Sequence, residues 1–160
     1  MTMHGRIYQI ETHPVTEEEA LCVSWHTDDV TPEIADYVDE DPNPTGSISW
    51  LKENLAALCG NTITILEDGF ILHEGFREAY FRRSYERFQE YLRRLNTCTF
   101  ADFANDRMGG YIFDVRDAYN ETFGDYVWSE DSYLETRDEF MRHAEPEVRY
   151  YFGGTLDYHW

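Results

Sequence analysis

Residues 76–95 read FREAYFRRSYERFQEYLRRL. Phe81, Tyr85, Phe88, Leu92 and Leu95 recur at spacings of four, three, four and three, so an α-helix sets all five on one stripe. The spacing predicts a long central helix with that stripe buried. The same run holds six of the 13 basic residues, Arg77, Arg82, Arg83, Arg87, Arg93 and Arg94, against Glu78, Glu86 and Glu90. Its net charge is +3, which leaves −22 on the rest of the chain.

Upstream, Asn61–Glu74 reads as a hairpin turned at Asp68-Gly69, because a type I′ turn needs positive φ at both central positions. That turn pairs Ile65 with Leu72 and Thr64 with His73, and it puts Ile63, Ile65, Phe70 and Leu72 on the face that receives the arginine-rich helix. Before the hairpin, Ile48, Leu51, Leu55 and Leu58 keep a helical period, with Ser47 or Ser49 as cap and Gly60 as stop. Thr31-Pro32 predicts another helix start, with Ile34 and Val38 inward and Asp36, Asp39, Glu40 and Asp41 outward. Thr16, followed by three glutamates, fits a helix N-terminus. Gly5–Thr12 alternates as a half-buried strand, with Ile7 and Gln9 on one face and Tyr8 and Ile10 on the other.

Downstream, Thr99 and Asp102 form a capping-box pattern for a short helix carrying Phe100 and Phe103 and ending at Gly109-Gly110. Tyr111–Arg116 alternates as a strand. Residues 117–131 lack a period except for a short strand at Tyr126–Trp128. Ser132 and Glu135 give a second capping-box pattern, opening a helix with Leu134, Phe140 and Met141 that stops before Pro146. Val148–Trp160 reads as a closing hairpin turned at Gly153-Gly154, with Arg149 opposite Tyr158. No repeat, low-complexity tract or linker divides the chain. The expectation is one α+β domain over residues 1–160, with antiparallel hairpins against the 76–95 helix and several short helices.

A chain of 160 residues can bury a sizeable core, and with 16% aromatic residues Tyr, Phe and Trp supply much of it. A net charge of −19 repels nucleic acid and anionic lipid, and attracts cations and basic surfaces. Direct nucleic-acid binding is disfavoured. There is no apolar run of membrane-spanning length, and MTMHGRIYQI has no signal-peptide core, so the expected location is cytoplasmic. Cys22, Cys59 and Cys98 are odd in number and suit a reducing compartment.

Motifs of established chemistry are missing. The sequence has neither a Gly-x-Ser-x-Gly elbow, nor a P-loop, nor a dinucleotide fingerprint. Cys22 and His26 are spaced as helical metal ligands, but no second pair follows. His143-Ala144-Glu145 lacks the cysteine pair that a zinc deaminase requires. Asp114, Asp117 and Glu121 lack a calcium-loop frame. The expectation is no metal, no cofactor and no catalytic residue.

Two readings of function follow from charge. In the first, acidic clusters at Glu17–Glu19, Asp28-Asp29, Asp36–Asp41, Glu130-Asp131 and Asp138-Glu139 engage a basic protein surface, as a mimic of nucleic-acid phosphates would. Asp36, Asp39, Glu40, Asp41, Glu130 and Asp131 are the candidate contact residues. In size and charge, though in no motif, the chain is similar to small acidic inhibitors of restriction and CRISPR nucleases. In the second, the chain is a small-ligand-binding protein or small enzyme with an aromatic-lined pocket, where Arg83, Arg87 and Arg94 lie beside Tyr80 and Tyr91 on one flank of the helix and hold an anionic ligand through forked hydrogen bonds. The opposing view pairs Glu78 with Arg82, Arg82 with Glu86 and Glu90 with Arg94, so that the arginines are neutralised internally. That view, with the acidic interaction protein it implies, is the preferred expectation, and exposed aromatics would also suit a homodimer interface.

Overall fold

The computed structural model describes residues 3–26 and 30–160. Asp28-Asp29 and the His26 side chain lie outside the described residues. Among the described residues the architecture is mixed α/β, built on one sheet of seven strands.

Strand β1 (His4–Glu11) is central: it pairs antiparallel with β7 (Arg149–His159) and parallel with β5 (Tyr126–Ser129). Beyond β5 lies β6 (Tyr133–Thr136). Along its other edge β7 pairs with β4 (Gly69–Leu72) through its first residues and with β2 (Tyr37–Glu40) through its last, while β3 (Ile63–Ile65) extends β4. Between these strands run α1 (Val23–His26), α2 (Pro44–Cys59), α3 (Phe76–Asn96), α4 (Phe100–Ala104), α5 (Gly109–Tyr119) and α6 (Arg137–His143).

Alternation along β1 divides the core as expected. Tyr8 and Ile10 face α2, α3 and α6 and pack with Leu51, Leu55, Phe76, Phe140 and Met141. Ile7 faces the opposite side and packs with Leu21, Val30, Trp128, Leu156 and Tyr158. Since both faces are covered, β1 is buried from Ile7 to Glu11 rather than half-buried, while His4 at its start is exposed and Arg6 partly so. Gln9 follows at 2% exposure and remains satisfied, because its Oε1 accepts from the N–H groups of Leu21 and Gly154.

Several local expectations are corrected. Thr31-Pro32 opens no helix: Ala35 N–H donates to Pro32 O, and the chain then extends into β2, where Asp36 N–H donates to His159 O. The open edge of β7 outcompetes local helix propensity. Thr16–Glu19 closes a single turn, not a helix. The cap of α2 is Asn43, whose side chain accepts from Gly46 N–H, with Pro44 leading the helix, so it starts before Ser47; Gly60, at φ 59°, ends it as expected. The β3–β4 loop is two residues longer than expected, pairing Ile65 with Phe70 and Ile63 with Leu72. A two-residue slip keeps the face, so the apolar set is unchanged. Thr99 and Asp102 do form a capping box, but Gly109-Gly110 opens α5, and Tyr111–Arg116 is helical. The other capping box belongs to Thr136 and Glu139, not Ser132 and Glu135. Gly153-Gly154 is no turn: β7 runs straight through, and Arg149 pairs with Asp68 and stacks on Tyr151 instead of meeting Tyr158.

The stripe of α3 is the largest departure. Only Phe76 and Tyr80 are fully buried, in the first turns over the sheet. Farther along, Phe81, Phe88, Leu92 and Leu95 are half-covered and Tyr85 is exposed. Here α5 packs along α3, with the rings of Phe88 and Tyr119 6.5 Å apart. Among the described residues no helix is long and apolar enough to cross a membrane.

Candidate functional site

Tyr80, Arg83, Arg87, Tyr91 and Arg94 fall at i, i+3, i+4 and i+7 intervals, which place them along one flank of α3. Across from them stand Asn54 and Leu58 of α2, Glu121 after α5, and Arg137 and Asp138 at the start of α6. Together these walls enclose a recess of about 730 Å³.

Its floor is a polar network. Tyr80 donates its hydroxyl hydrogen to Asp138 Oδ1 at 2.9 Å and accepts from Arg137 Nε at 3.0 Å. Arg137 also pairs with Asp125 Oδ2 at 3.2 Å and lies under the rings of Trp50 and Tyr80. The second oxygen of Asp138 accepts from Glu121 N–H. Burial pushes the Tyr80 phenol well above its ordinary range, so it stays a neutral donor. For Arg137 burial acts against the charge, but Tyr80, Asp125 and Glu121 outweigh it and the guanidinium is held the more firmly protonated. Loss of water raises the Glu121 carboxyl, with Asp138, Asp117 and Asp125 adding to the rise against Arg137. Asn54 Oδ1 is buried without a partner.

The cations at the mouth are of two kinds. Arg94 is engaged by Glu90 at 3.2 Å, and Glu90 also takes Arg93 at 2.8 Å. Arg83 and Arg87 make no ion pair or hydrogen bond among the described residues. The expected Glu78–Arg82 and Arg82–Glu86 pairs do not form, and Arg77 reaches the carbonyls of Arg142 and Ala144 at the end of α6. Of the three expected pairs only Glu90–Arg94 forms, and Glu90 neutralises Arg93 as well. Helical spacing made the ridge readable in the sequence, whereas Arg137, Asp138, Glu121 and Asn54 come from other elements and left no local signal.

The acidic candidates are dispersed. Asp36, Asp39 and Glu40 are exposed at β2, which aligns with the His4 end of β1. Glu130 and Asp131 are exposed in the β5–β6 turn, where Glu130 N–H donates to Glu11 at the other end of β1. Asp41 is no surface contact: it is buried and accepts from Thr155 Oγ1 at 2.7 Å and Asn43 N–H, with Arg6 at 3.6 Å. The chain matches no family model, no curated protein and no solved structure.

Proposed function

We propose that the protein binds a small organic anion, carrying a phosphate or carboxylate group, in the recess between α2, α3 and α6. The observation that carries this reading is that Arg83 and Arg87, one helical turn apart, line a single recess without an ion pair or hydrogen bond among the described residues, Arg87 acting on Asp117 through its field alone, in a chain with 32 acidic residues. Guanidinium forks match both anions bidentately. The recess volume falls within the roughly 300–1,000 Å³ common for small-molecule sites. Arg137 and Tyr80 fix the floor, and Asn54 Oδ1 would take a donor from the ligand body.

The test is calorimetric titration with inorganic phosphate and then with a panel of phosphate esters and small carboxylates. Saturable binding that Arg83→Ala/Arg87→Ala abolishes supports the reading. Absence of saturable binding across the panel, or binding indifferent to the double substitution, rejects it. Both arginines are exposed and make no ion pair or hydrogen bond among the described residues, so each loss should change stability by no more than about 0.5 kcal/mol.

A second reading gives Asp36, Asp39 and Glu40 a basic protein partner. It rests on their exposure along β2, whose outer edge pairs with no other strand among the described residues. Charges on such an edge also deter strand addition. A partner captured at low salt and released steeply as salt rises would favour it.

A further inference from the structure

We infer that His4, Asp157 and His159 form a binding site for one divalent transition-metal cation of the zinc class. His4 and His159 are direct partners in the β1–β7 register, and Asp157 is two residues before His159, so all three side chains rise from the same face of the sheet. Asp157 Oδ2 lies 2.9 Å from His4 Nδ1 and 3.1 Å from His159 Nε2, and the three donor atoms fall within 4.8 Å of one another. Ligand atoms around a tetrahedral zinc with bonds of about 2.0–2.1 Å stand roughly 3.3 Å apart, so small side-chain adjustments admit the ion.

The surroundings suit that use. Arg6 engages the other oxygen, Asp157 Oδ1, which fixes the carboxylate and turns Oδ2 toward the two imidazoles. Tyr37 stacks on the His159 ring at 4.2 Å and the His4 ring meets it edge-on at 3.9 Å, which limits rotation of both. Asp157 is only 6% exposed, whereas His4 is half exposed and gives an entry path from solvent. Two nitrogen donors and one oxygen favour zinc-class cations over magnesium or calcium. Three protein ligands leave one position open, as in catalytic rather than structural zinc sites. His4 and Arg6 also line a recess of about 480 Å³ with Tyr8, Asn43, Ser47 and Trp50, which gives solvent and solutes access to the His4 side of the site. The negative field of the whole chain draws cations to it.

The experiment is titration of the metal-free protein with Co²⁺, followed by visible absorption, and displacement by Zn²⁺. Expected is one saturable equivalent, displaced by zinc, whose affinity falls more than tenfold in His4→Ala, a substitution at a half-exposed position. In the unaltered protein, zinc should shift the ring resonances of His4 and His159 together. Arg83→Ala/Arg87→Ala should leave both readouts unchanged, which separates this site from the anion recess. Absence of saturable uptake, uptake unaltered by His4→Ala, or shifts confined to His13, His73 or His143 would overturn the inference.

Discussion

Tyr80 is the hinge between charge and core. Its ring packs in the main core while its hydroxyl joins Arg137 to Asp138. Tyr80→Phe keeps the ring and strands two largely buried polar groups, so urea unfolding should show a loss of about 1–3 kcal/mol with an unchanged m value. A larger m change would mean the network also governs compactness. The carboxylates around this residue set the response to pH. Burial raises Asp125, Asp117 and Glu121, and in each case an arginine opposes the rise. Asp41 moves the other way: burial would raise it, but hydrogen bonds from Ser47, Asn43 and Thr155, with Arg6, hold it below the ordinary range. Between the ordinary and raised values the folded state binds more protons than the unfolded one, so the first group lowers stability as pH rises through that window. The Asp41 contribution is intact above the ordinary carboxylate range and is lost only as pH falls through its depressed value. From mildly acidic to neutral pH the raised group prevails, and stability should decline. Glu121→Gln should flatten that decline, judged by urea midpoints across the window, more than Glu17→Gln, which removes the same charge from the remote surface.

Elements were legible where one local signal sufficed and illegible where a distant contact decided. Gly153-Gly154 invites a turn, yet neither glycine has a positive φ. They are small because something must pass close: a Cβ on Gly154 would lie 2.3 Å from Leu21 O and 2.8 Å from Leu21 N. Gly154→Ala should therefore cost about 1–3 kcal/mol through forced backbone displacement, whereas a turn glycine with ordinary φ would tolerate alanine. Retained stability in a thermal melt would refute that account. Gly109-Gly110 misleads for the converse reason, since nothing crowds either position and α5 forms by packing on α3. The two capping boxes provide a matched comparison. Thr99 is exposed, while Thr136 is buried and also donates to Asn120 at 2.6 Å. Thr99→Ala should fall near the low end of the roughly 0.5–2 kcal/mol range for cap loss and Thr136→Ala near the high end. The ridge beside the recess was readable because its residues share a helix; Asn54, Glu121, Arg137 and Asp138 were not, since they come from other elements. The His4–His159 pair was invisible because only the strand register brings the chain ends together.

On the scale of the whole molecule, the net charge of −19 and the recess respond to salt through different physics, which allows them to be separated. Self-repulsion of the acidic surface weakens as the screening length shortens toward about 8–10 Å, so added chloride should raise the urea midpoint in every variant. Phosphate at equal ionic strength adds its general exclusion from protein surface, which also acts on every variant. Only a specific anion site adds linkage on top, growing with free ligand as binding to the folded state demands. The difference between phosphate and chloride should therefore be larger in the unaltered protein than in Arg83→Ala/Arg87→Ala, and that excess should follow the occupancy measured by calorimetry. Equal differences in the two proteins would reduce the phosphate effect to solvent exclusion. The two arginines would then be unpaired surface charges relieving a strongly acidic field, with no ligand of their own.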